Sequence, residues 1–217
     1  MSPMPPSLID KYGCMRKWIK APLAQKVCVQ AQRPLLLDVT IIDASLLLYH
    51  IVWPSRGDAS VIVKSIKTSR ILLSSCQRVS RHSLAGKKII VFDKYNSVSA
   101  KDYARVRRAG LGSSNYDLTT NTPLHSRDAI MRNKHNKLQL TKVLCTFSFD
   151  EGVRVESPSD GVFNHDEADI TMMSDLLKAA ESDTRVIRFL SDDTDVFVML
   201  VCRVYRKMIG ATVQMER

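Results

Sequence analysis

The sequence predicts an α/β protein: three layers, with a mainly parallel sheet between helices. Two observations carry this. Short runs rich in aliphatic and β-branched residues (PLLLDVTIID, KKIIVFD and RVIRFLS) read as buried strands. Between them lie longer stretches with apolar residues at helical spacing, and strands alternating with helices imply a parallel sheet covered on both faces.

Residues 1–34 carry early prolines and mixed polar residues and read as a loosely attached lead-in, leaving 35–217 as the main domain. PLLLDVTIID is the first strand, bounded by Pro34 and ending at Asp43. LLLYHIVW suits a helix packing back on it, and Pro54–Asp58 reads as a turn. Val61, Ile62, Ile66, Leu72, Leu73 and Val79 favour one amphipathic helix from Ala59 to about Ser83. KKIIVFD is the second strand, ending at Asp93. Ser99 and Gly110 bracket a short basic helix as N-cap and C-cap, and 111–125 read as an irregular loop. RDAIMRNKHNKLQLTKVL is expected to form one very basic helix, and a third strand is expected within KVLCTFSF. HDEADITMMSDLLKAAE is an amphipathic helix and RVIRFLS the fourth strand. DTDVFVMLVCRVYRK then begins a helix or continues as a buried apolar element, and ATVQMER is a candidate final strand.

Charge narrows the function classes. The net charge is +10, and it is segregated. Lys64–Lys142 holds 17 basic and 4 acidic residues, whereas 150–217 holds 14 acidic and 8 basic. A basic middle of this size points to a polyanionic partner, nucleic acid ahead of a membrane. Asp38 and Asp43 interrupt the apolar run Leu35–Trp53, which argues against a membrane span. Five dispersed cysteines with no CxxC pair, and a start (MSPMPPSLIDKYG) without an apolar core, fit reduced thiols in an intracellular, non-secreted protein.

The acidic residues concentrate at strand ends. Asp43 closes TIID, Asp93 closes IIVFD, and Asp192, Asp193 and Asp195 follow VIRFLS. Ligands of open parallel sheets bind at those ends. Glu167 and Asp169 begin the helix leading to the last of these strands. Buried carboxylates need compensation, and hard oxygen donors suit Mg²⁺ or Mn²⁺. Two such ions about 4 Å apart serve in-line phosphodiester chemistry. Taken singly, each acid has a plainer reading. Asp43 could cap the helix at Leu46, Asp192 and Asp193 the final helix, and Glu167 and Asp169 could favour their own helix N-terminus. His165 reads as a surface residue, and DDTD lacks the glycine and closing Glu of a calcium loop.

The order IIDAS, VFD, EAD, SDDTD resembles the flap-endonuclease and PIN-like nuclease superfamily, over roughly Leu36–Tyr205. HDEAD with SDDTDVFVML is also similar to PIN-like proteins associated with mobile elements. The resemblance implies that Asp43, Asp93, Glu167, Asp169, Asp193 and Asp195 bind one or two Mg²⁺ or Mn²⁺ ions. It implies that Lys101 and Arg108, two turns apart on a gateway helix, steady the scissile phosphate, with Arg105 and Arg107 beside them. Arg132, Lys134 and Lys137 on the next basic stretch would contact the nucleic-acid backbone. The expected activity is hydrolysis of phosphodiester bonds in nucleic acid with flap or single-stranded ends, DNA ahead of RNA with the choice between them left open, in an intracellular setting for which the nucleus is one option.

Two departures from the family stand out: its N-terminal glycine element is replaced by 34 unrelated residues, and the chain stops soon after the DxD. A C-terminally truncated domain is the expectation. The rival expectation is a nuclease fold that cleaves nothing and only binds nucleic acid or a protein. A receiver-like phosphate-handling domain is a more distant one, since Asp93-Lys94 does not supply its arrangement.

Overall fold

The computed structural model describes residues 38–53, 57–69, 86–93, 114–124, 126–150, 152–156, 168–182, 184–205 and 209–216. The lead-in, the short basic helix with Lys101, Arg105, Arg107 and Arg108, and His165 and Glu167 lie outside them.

Five strands form one sheet: β1 (Val39–Asp43), β2 (Lys87–Val91), β3 (Val153–Glu156), β4 (Val186–Leu190) and β5 (Thr212–Glu216). Their order is β3-β2-β1-β4-β5, and every pairing is parallel. The α/β class with a central parallel sheet is therefore the one observed. Chain order runs outward from β1 in one direction and from β4 in the other, so the strand order reverses between β1 and β4. At such a switch point the loops leaving the two strands diverge and open a crevice.

Side-chain alternation splits the core in two. Ile42, Ile90 and Leu190 face α1 (Ala44–His50), α2 (Ala59–Lys67), α3 (Arg127–Met131) and α4 (Lys134–Cys145). Val39, Ile41, Val91, Ile187 and Phe189 face α5 (Ala168–Glu181) and α6 (Thr194–Tyr205). Ile41 and Ile42 are both fully buried, which only a strand covered on both sides achieves. Each such side chain contributes roughly 1.5–3 kcal/mol by leaving water. Among the described residues, no helix is long and apolar enough to cross a membrane.

Local chemistry sets the element ends. Gly57 has φ 131°, and a Cβ there would sit 2.8 Å from Val61, so the turn before α2 requires glycine. Asp58 then caps α2 by accepting from the Ser60 amide at 2.9 Å. The described part of α2 ends at Lys67, with residues 70–85 of the expected longer helix outside the described set.

The expected single basic helix is two. Asn133 leaves the helical region (φ −98°, ψ 123°) and accepts from the Asn136 amide, capping a new helix. Asparagine offers the backbone this alternative to continuing, and it is satisfied here by a second bond, to Asn115 Oδ1 at 3.0 Å. The third strand also lies elsewhere. Lys142–Cys145 completes α4, and β3 forms beyond the left-handed turn at Gly152 (φ 82°). DTDVFVMLVCRVY is helical, and TVQME pairs with β4 as the last strand.

Candidate functional site at the carboxyl edge of the sheet

Asp43 is the last residue of β1 and Asp93 lies two residues past β2, its neighbour. The register places Asp43 beside Val91, so the two carboxylates emerge together. Ser45 joins them: its amide donates to Asp43 Oδ1 at 2.7 Å, and its hydroxyl reaches Asp93 Oδ2 at 3.5 Å. The Ala168 amide, opening α5, donates to Asp93 Oδ1 at 3.1 Å. Asp93 is thereby held at the positive end of a helix. Asp169, half-buried, follows directly in that first turn.

The β4 side approaches through Ser191. Its fully buried hydroxyl donates to Asp43 Oδ2 at 3.3 Å and accepts from the Asp193 amide at 3.1 Å. Asp193 Oδ1 in turn accepts from the Asp195 amide at 2.7 Å, capping α6. Asp192 turns away, 3.6 Å from His50.

The cap readings of Asp43 and Asp193 are therefore real, and Asp43 also meets Asp93 across the β1–β2 edge. Asp193→Ala should cost α6 about 1 kcal/mol, whereas Asp193→Asn should leave the metal-free protein nearly unchanged. Thermal unfolding of both variants in EDTA checks this.

Burial pushes Asp43 up to about 6, and the nearby charge of Asp93 pushes the same way. The Ser45 and Leu46 amides and the ammonium of Lys137 pull it down. Lys137 comes from α4, its Nζ 3.3 Å from Ser45 Oγ and 4.0 Å from Asp93 Oδ2. Its side chain is only 15% exposed, so it belongs to the pocket and not to a solvated basic stripe. Asn136, one residue earlier and fully buried, accepts from the Tyr116 amide and donates to the Ser114 and Ala129 carbonyls. That network anchors the start of α4, and with it Lys137. Arg132 is exposed and pairs with Asp128 at 2.7 Å, while Lys134 is half-buried at the start of α4.

Among the described residues, no three His, Cys, Asp or Glu side chains lie close enough to hold a metal ion. Glu167, the sixth expected carboxylate, lies outside those residues. The Asp43–Asp93 pair with the Ser45 and Ser191 hydroxyls is an all-oxygen donor set. Its chemistry fits one hard divalent cation, and its two adjacent carboxylates, one of them resisting ionisation, are what such an ion neutralises. Sequence reading missed Ser45 and Ser191, although both sit one or two residues from a candidate aspartate, in IIDAS and LSDD.

Fold and site together define an α/β protein with paired carboxylates at the carboxyl edge of a parallel sheet, across β1 and β2 and beside the switch point between β1 and β4. No family model, curated protein or solved structure matches the chain.

Proposed function

We propose that the chain is a metal-dependent phosphodiesterase of the flap-endonuclease and PIN-like kind, acting on DNA with flap or single-stranded ends. The supporting observation is the pairing of Asp43 with Asp93 at the β1–β2 edge, linked through Ser191 to the SDDTD segment that follows β4. Asp43 and Asp93 would hold Mg²⁺ or Mn²⁺, with Glu167, Asp169, Asp193 and Asp195 completing or supporting the ligand set. The ion, when bound, supplies water activation and charge neutralisation at the phosphate. Ser45 and Ser191 hold the two carboxylates in place. Lys101 and Arg108 would steady the scissile phosphate, and Arg105, Arg107, Arg132 and Lys134 the strand leading to it.

A labelled DNA flap incubated with Mn²⁺ tests this, beside a matching RNA. Mn²⁺-dependent cleavage of the DNA is expected, lost roughly 100-fold or more in Asp93→Ala, since weakening even the support of a metal ligand acts on that scale. Wild-type protein that cleaves neither substrate with Mn²⁺ overturns the reading. One observation favours a second reading, a binding module without catalysis: Asp43 and Asp193 already serve as helix caps. Retained DNA binding without cleavage is its signature.

A further inference from the structure

We infer that Lys137 is a built-in counter-ion of the carboxylate pair and competes with the divalent cation for the site. The inference rests on the metal-site reading above and assigns Lys137 a role different from gripping the nucleic-acid backbone. Three observations carry it. The ammonium lies within 4.0 Å of Asp93 Oδ2 and 3.3 Å of Ser45 Oγ, the hydroxyl that reaches Asp93 while the amide of the same residue donates to Asp43. Its stem is withdrawn from solvent, with 15% of the side chain exposed, so it is not held out for an incoming strand. Its position is fixed by α4, whose first turn is anchored by Asn133 and Asn136.

The physical consequence follows from charge. With both acids ionised, the ammonium leaves the pocket with a net charge of −1. A divalent ion settling between the same oxygens meets a positive charge a few ångströms away, in surroundings that screen it less than water does. Lys137 therefore stabilises the carboxylate pair in the metal-free protein and would weaken metal binding there.

The test compares wild type with Lys137→Met, which keeps the apolar stem, and Lys137→Gln, which keeps a donor for Ser45. Mn²⁺ affinity is read by electron paramagnetic resonance and by the rise in melting temperature on adding Mn²⁺. Both variants should bind Mn²⁺ at least about tenfold more tightly than wild type. Unchanged or weaker binding in the variants, with wild type still binding, overturns the inference and leaves the metal site standing. No binding by any of the three proteins overturns both. If the variants unfold without metal, millimolar Mn²⁺ should restore folding by replacing the lost charge, and failure to restore it counts against the inference.

Discussion

Replacing Arg154 by Met should lower the unfolding free energy by about 3 kcal/mol at pH 8, and by less at pH 5. Arg154 projects from edge strand β3 toward α5. Its guanidinium lies 3.1 Å from Asp175 Oδ1 and pairs with Glu156 on the same strand. The Asp175 side chain is 1% exposed, its Oδ2 has no hydrogen-bond partner among the described residues, and Lys178 assists from 3.7 Å. Removing one partner of a buried pair costs about 3–5 kcal/mol, and the half-exposed arginine places this case at the low end. Burial first, and Glu156 second, hold the Asp175 carboxyl above its usual range, while Arg154 and Lys178 pull it down.

Protonation supplies the pH dependence. An acid whose folded-state pKa is raised keeps its proton where the unfolded chain has lost it, so its stabilising effect fades as pH rises through the folded value. Without Arg154 the carboxyl rises further, so as pH falls protonation takes the place of the lost arginine. Urea unfolding at the two pH values measures the difference. A loss below about 1 kcal/mol at both would show that the network is solvated and carries little.

Asp43→Asn should make the metal-free protein more stable at pH 7.5, by about 2 kcal/mol, and leave it nearly unchanged at pH 4. The unfolded chain releases this proton near 3.8 and the folded one near 6. Across that window the folded state binds more protons than the unfolded one, so Asp43 takes stability away as pH rises and the loss persists above 6. The full difference corresponds to about 3 kcal/mol, reduced to about 2 by solvent around a half-buried group. Asparagine still accepts from the Ser45 amide, so the cap survives.

The sign reverses with metal. Millimolar Mg²⁺ or Mn²⁺ should raise the melting temperature of wild type by binding only the folded state, and raise that of Asp43→Asn much less. Differential scanning calorimetry with EDTA or Mn²⁺ reads both effects. A variant no more stable than wild type at pH 7.5 without metal would reduce Asp43 to a hydrated helix cap.

These expectations draw unequally on what could be read without coordinates. Ile41-Ile42, Ile89-Ile90 and Phe189-Leu190 are adjacent apolar residues, and adjacent strand residues point to opposite faces, so a sheet buried on both sides was legible. Asp43 and Asp93 were legible as strand-end acids for the same reason: an apolar run that stops at a carboxylate stops where water or a cation begins. The break at Asn133 was not, because RDAIMRNKHNKLQL keeps helical spacing on both sides of it and the partners that hold Asn133 and Asn136 come from residues 114–116. The third strand was misplaced because the apolar residues of KVLCTFSF suit a helix end as well as a strand, and Val143 and Leu144 found their core from α4.

By itself the sequence determined the class of fold, the layering, and which acids stand at the edge of the sheet, since those depend on period and on the cost of burying charge. Only the tertiary structure decided that β1 lies between β2 and β4, which brings Asp43 to Asp93 and to Ser191, and that a lysine from a helix 90 residues later enters their pocket. Strand order and helix placement come from pairings distant in the chain, and no local pattern of residues records which distant partner will be met.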